Sequence, residues 1–158
     1  MAEVAIFSDV DDAVKFTKDL QKKIDSTKDG SQKFAGILSA TIFRDIMDHF
    51  STETGEDGPW TAWSQMYYEH MEKQGIQGNK ILQDTGRLRQ AFLPGSYRVV
   101  SDGYLWFNPA KTKDGFPYAK AHDEGGDRLP QRSFMWLSKD AMEKISSLTL
   151  AFILDERA

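Results

Sequence analysis

The sequence predicts a single α+β domain, a small antiparallel β-sheet with flanking helices, an N-terminal helical pair and a C-terminal helix. Three observations predict it. Apolar residues recur at helical spacing in two N-terminal stretches and in one C-terminal stretch, the mark of amphipathic helices. Asp102-Gly103 joins two β-prone runs, and this dipeptide tolerates the positive φ of a tight hairpin. The chain has 158 residues, enough for one domain that buries roughly 68–70% of its unfolded surface.

The elements follow in order. From Asp9 to Lys28, Val10, Val14, Thr17, Leu20 and Ile24 recur among Asp and Lys, as on a surface helix. Asp29-Gly30-Ser31 ends it and caps the next. There Phe34, Leu38, Ile42, Ile46 and Phe50 recur every fourth residue, widened by Ile37 and Met47, so this is the main core helix. The acidic Gly/Pro stretch from Ser51 to Trp60 reads as a loop. Trp63, Met66, Tyr67, His70 and Met71 suggest a short third helix, and Leu88, Ala91 and Phe92 a brief fourth, capped by Asp84 or Thr85 and stopped by Pro94-Gly95. Tyr97–Ser101 and Tyr104–Asn108 form the hairpin. Lys111–Gly115 is a polar loop, Pro117–His122 a short extended piece, and Asp123–Arg128 loop again. Leu129–Leu137 reads as an edge strand that tolerates Pro130. Ser138 then caps a last helix carrying Met142, Ile145, Leu148 and Phe152.

Composition narrows the function. Cysteine is absent, which excludes disulfides, thiolate nucleophiles and Cys-based zinc sites. The N-terminus has neither a basic start nor a long apolar run, so neither a signal peptide nor a membrane span is expected, and synthesis is expected in the cytoplasm. A formal charge of -4 disfavours a broad basic face for nucleic acid. Four Trp within 12% aromatic residues suit either a core or a protein interface.

Three constellations could carry chemistry. Asp84-Thr85-Gly86 is the aspartic-protease tripeptide, in which two such carboxylates share a proton, so this chain would have to dimerise to use it. Arg87 to Phe92 continue as an amphipathic helix, which makes Asp84 a helix cap instead. His122-Asp123-Glu124 puts three ligand types in a row, but neighbours on an extended segment point to opposite faces and cannot close on one metal. His49 and His70 stand outside any His-Glu-x-x-His pattern. Gly125-Gly126 lacks the flanking strand, helix and Lys of a phosphate loop and reads as a turn. No catalytic residue, cofactor or metal is expected.

Between Phe43 and Leu154, a series of segments in order resembles the virion-morphogenesis, or tail-completion, proteins of Mu-like and related tailed bacteriophages. A helix ending at Phe50 and an acidic loop lead into Gly58-Pro59-Trp60-Thr61-Ala62-Trp63. Lys80 to Arg89 is similar to the family's Ile-Leu, Thr-Gly, Leu stretch, through Ile81-Leu82, Thr85-Gly86 and Leu88. Pro117 to Gly126 resembles its Tyr-Ala, His, Gly-Gly segment, and Leu129 to Ser138 its Pro-x-Arg-x-Phe-Leu segment before the C-terminal helix. The chain departs from the pattern at Asp123, Gln131 and Ser133. Residues 1–30, an N-terminal helix, carry no assigned role beside the 31–158 core.

The resemblance implies a non-enzymatic structural protein of the virion neck or tail. It would be assembled in the host bacterial cytoplasm as a homo-oligomeric ring, a hexamer by family resemblance, that completes the tail and joins it to the head. Its implied partners are further copies of itself, the neck or connector proteins, and the tail tube or terminator proteins. DNA would pass without being gripped, since each Lys or Arg contact to phosphate adds affinity; no cofactor and no membrane are involved. Two alternatives stand beside it: a small phage hydrolase using Asp84-Thr85-Gly86, and a tail or baseplate adaptor of the same fold. The interface candidates are Trp60, Trp63, Tyr118, His122, Arg132, Phe134 and Trp136. A strand from Arg132 to Trp136 would carry apolar bulk on both faces, and a one-layer sheet covers one face only.

Overall fold

The computed structural model describes residues 14–15, 17–19, 21–22, 30–75, 80–100, 103–127 and 129–154. The elements in chain order are α1 (Gly30–Thr52), β1 (Thr54–Gly55), β2 (Gly58–Pro59), α2 (Gln65–Lys73), α3 (Arg87–Ala91), β3 (Tyr97–Val100), β4 (Gly103–Trp106), α4 (Tyr118–Glu124) and α5 (Lys139–Ile153). Helices with two small antiparallel sheets, β1-β2 and β3-β4, make the fold α+β. Of the surface helix expected over Asp9–Lys28, residues 14–15, 17–19 and 21–22 are helical and the rest lies outside the described residues.

Two compact units form, one from the chain up to Ile42 together with the chain from Leu137, the other from Phe43–Trp136. In the first, Phe34, Ala35, Leu38 and Ile42 of α1 and Ala141 and Phe152 of α5 are buried, and the Phe34 and Phe152 rings lie 4.9 Å apart. Ser138 starts α5 by accepting a hydrogen bond from Ala141 N, as the sequence expects. Buried Ser39 and Thr149 return their hydroxyls to carbonyls four residues back, so neither is left unsatisfied.

In the second unit, Phe50 is the centre. It has no exposed surface, and its ring meets Trp60 edge-on at 5.6 Å and Phe134 at 5.1 Å. The C-terminal carbonyls of α1 find no partner within the helix, and the chain from Lys80 supplies one. Lys80 Nζ donates to Ser51 O at 2.7 Å and Gln83 Nε2 to Phe50 O at 2.6 Å, while Ile81 N donates to Glu53 Oε1. Glu53 itself turns left-handed, at φ 56°, to leave the helix. Ser64 caps α2 by accepting from Tyr67 N.

Four elements differ from the sequence expectation. Pro117–His122 is not extended: α4 runs over Tyr118–Glu124, with Pro117 as its N-cap and Gly125 past its end. Two alanines, strong helix formers, lie within it. Leu129–Leu137 is no strand; an isolated Gly126–Leu129 bridge is its ladder contact among the described residues, and the rest runs irregularly to α5. Neither Asp84 nor Thr85 opens α3. That position is Gly86, left-handed at φ 70°, with no side-chain cap bond. The loop after α1 contains a paired element, Thr54 with Pro59 and Gly55 with Gly58. The hairpin forms with Tyr97 opposite Trp106, but Gly103, expected in the turn with Asp102, is instead a strand residue opposite Val100, and residues 101–102 lie outside the described residues.

Gly125 and Gly126 carry unequal constraints. Gly125 sits at φ 72°, ψ −168°, a region open in practice to glycine alone, and a Cβ there would stand 2.8 Å from the Gln131 backbone. A Cβ on Gly126 would meet nothing within 4 Å. Gly125→Ala is therefore expected to lower stability by about 2 kcal/mol or more. Gly126→Ala should stay within about 0.5 kcal/mol of the parent. Denaturant titration of both variants checks the contrast, and equal effects would refute it.

Candidate functional site

The segment from Gln131 to Trp136 crosses the second unit without a strand partner, so its backbone groups must be satisfied from elsewhere. Asp123, near the end of α4, accepts from both Phe134 N at 2.8 Å and Met135 N at 2.9 Å through one carboxylate oxygen. The His122 carbonyl accepts from Arg132 N at 2.8 Å. Trp60 Nε1 donates to Ser133 O at 2.8 Å, and His49 Nδ1 donates to Phe134 O at 3.0 Å. A carboxylate at a helix C-terminus opposes the helix dipole by about 0.3–1 kcal/mol. Two hydrogen bonds to a charged acceptor, at about 1.5–3 kcal/mol each, outweigh that.

These bonds place the interface candidates. Phe134, with 0% exposure, and Trp60, with 6%, are core side chains of the unit. Trp136 is half-buried and stacks on His49 with ring centroids 4.1 Å apart, its indole N–H sealed without a hydrogen-bond partner. Trp63, Tyr118, His122 and Arg132 instead line one pocket of about 830 Å³, together with Tyr67 of α2 and the Asp84-Thr85-Gly86 turn. Asp84 is exposed at its margin. The residues of His122-Asp123-Glu124 lie on a helix, where neighbours still diverge, and Asp123 is engaged with backbone. Among the described residues no group of three or more His, Cys, Asp or Glu could hold a metal ion.

The pocket's electrostatics turn on Arg132. The residue is 7% exposed, its Nε donates to Thr61 O at 2.9 Å, and its Nη2 donates to Ala62 O at 3.4 Å. Among the described residues no carboxylate forms an ion pair with it. Burial lowers its pKa from the ordinary value, and the Tyr67 phenol works the other way; a guanidinium stays charged regardless. His122 is shifted too, its pKa lowered first by burial and then by the charge of Arg132, and its Nδ1 is sealed with no hydrogen-bond partner. Burial and the neighbouring cation both favour the neutral imidazole.

Sequence reasoning finds Arg132, His122, Tyr118 and Trp63 but not the cavity that joins them. It misses Tyr67, Leu82 and Lys113 as lining residues and Asp123 as the clamp. Leu82 has one local oddity, a left-handed φ of 60°, that no side-chain pattern announces.

Asp123→Ala should cost about 2–4 kcal/mol by orphaning two backbone donors, and Asp123→Asn, which keeps an acceptor oxygen, about half of that. Equal losses in the two variants would refute the clamp. For His122, the unfolded chain takes up a proton near pH 6.5 and the folded chain only at lower pH. Between those values the unfolded state holds more protons, so stability rises with pH and falls as pH drops below about 6.5. His122→Asn is expected to flatten that part of the stability–pH curve, and an unchanged slope would count against it. Comparison of the chain with protein-family models, with curated proteins and with solved structures finds no match.

Proposed function

We propose that this chain is a non-enzymatic structural protein of a tailed bacteriophage, of the tail-completion or virion-morphogenesis type, working as a ring of like subunits where tail meets head. The family part is supported by the way the resembling segments interlock. Trp60 bonds to Ser133, Arg132 to Thr61 and Ala62, Asp123 to Phe134 and Met135, and the Lys80 segment closes α1 through Phe50. The observation that carries the assembly part is the β3-β4 hairpin. Its pairing sets Tyr97, Val99, Tyr104 and Trp106 on one face and Arg98, Val100 and Leu105 on the other. Val99 is 60% exposed, Val100 40% and Leu105 42%, so both faces offer apolar surface. Among the described residues no third strand pairs with it, and an unpaired strand edge is the kind of surface to which another chain can add. A net charge of -4 suits a passage that lets DNA through without holding it.

A small hydrolase is the second reading, favoured by one observation: Asp84-Thr85-Gly86 and His122 line the same pocket. Hydrolysis lost in Asp84→Ala would support it. The assembly reading is tested by native mass spectrometry and light scattering on the purified chain and on Leu105→Asp. The parent should form a ring. Leu105→Asp should fold with stability within about 0.5 kcal/mol yet lose about 2 kcal/mol or more of association per contact. A parent that stays monomeric at all concentrations, or a variant that assembles normally, would overturn it.

A further inference from the structure

The Arg132 guanidinium is only half used. Its Nε and Nη2 face backbone carbonyls along one edge, and Nη1 and the second Nη2 hydrogen have no partner among the described residues. The sealed, unpartnered side-chain atoms among those residues are His49 Nε2, His122 Nδ1 and Trp136 Nε1. Arg132 Nη1 is not among them, and Arg132 is a lining residue of the pocket. A buried charge left without a counter-charge is unfavourable, and an anion arriving in the pocket would relieve it.

The rest of the pocket says which anion. The open end of a guanidinium presents two parallel N–H bonds, which match the two oxygens of a planar carboxylate. A phosphate needs donors converging from several directions, as a run of backbone N–H groups would supply. Here the surroundings are Trp63, Tyr67, Tyr118, Leu82, Leu129 and Pro130, which suit an apolar body. Arg87 and Lys113 add positive charge to the lining against the single acid Asp84. About 830 Å³ falls within the range of roughly 300–1,000 Å³ typical of small-ligand pockets. We propose that this pocket binds a carboxylate carried on an aromatic or aliphatic body, with Arg132 as its buried counter-charge. The site stands on its own geometry and holds whether or not the chain forms rings.

The test uses the full chain labelled with ¹⁵N, following the Arg132 Nε–H and Trp63 indole N–H signals during titration. N-acetyl-L-phenylalanine should shift both signals saturably. Its neutral amide should bind about tenfold more weakly or worse, the ratio expected for losing hydrogen bonds to a charged group. Inorganic phosphate should not saturate in the same range. Benzoate binding as tightly as N-acetyl-L-phenylalanine would assign a free small acid, and weaker benzoate the end of a polypeptide; either supports the carboxylate. Arg132→Gln, where its melting curve shows a folded chain, should lose the response. Equal binding of acid and amide, saturation by phosphate alone, no saturable shift with any probe, or a response kept in folded Arg132→Gln would each overturn the proposal. The comparison of acid with amide needs no variant, so it decides the matter even if Arg132→Gln does not fold.

Discussion

One carboxylate oxygen accepting two consecutive backbone N–H groups is the interaction on which the second unit depends. The segment through Phe134 must lie inside the unit, because Phe134 fills the space against Phe50. A chain that goes inside without a ladder beside it carries donors and acceptors that water no longer reaches. Asp123 takes the donors, while Trp60 and His49 take the carbonyls of Ser133 and Phe134. Each of these side chains is held by a different element, so the irregular segment also ties α1, α4 and the chain around Trp60 to one another.

The same requirement explains the surroundings of Arg132. Once the Gln131–Trp136 segment is fixed by its neighbours, the Arg132 side chain is drawn to the Thr61 and Ala62 carbonyls and cannot swing out to water. The charge therefore stays in the unit, where it adds to the effect of burial in lowering the His122 pKa. Gly125 belongs to this arrangement: the chain must turn back from α4 directly against Gln131, and a side chain there would push the two apart.

Much of the fold was legible in the sequence, and the illegible parts share a cause. The stripe Phe34, Leu38, Ile42, Ile46 and Phe50 is buried throughout, and Ser138 caps the helix that follows it. Those signals are local: periodicity and capping act within a turn or two of the residue that shows them. Leu129–Leu137 looked like a strand because bulky residues gather there, but a strand also needs a neighbour, and here side chains replaced one. Pro117–His122 was expected to be extended, yet its alanines and a glycine stop made a helix. The pocket was invisible for a similar reason. Its lining comes from chain stretches between Thr61 and Arg132, and no spacing rule links Arg132 to carbonyls some seventy residues earlier.

The shared Asp123 oxygen also sets how this region moves. The Phe134 and Met135 amides share a single acceptor atom, so its loss frees both. A withdrawal of the Asp123 side chain exposes both amides in one event. Global unfolding is not required for that opening. Hydrogen exchange at the two amides should then proceed with a common opening equilibrium, unlike strand neighbours whose amides alternate between protected and free. In that opening mode the segment acts as a latch held by one side chain.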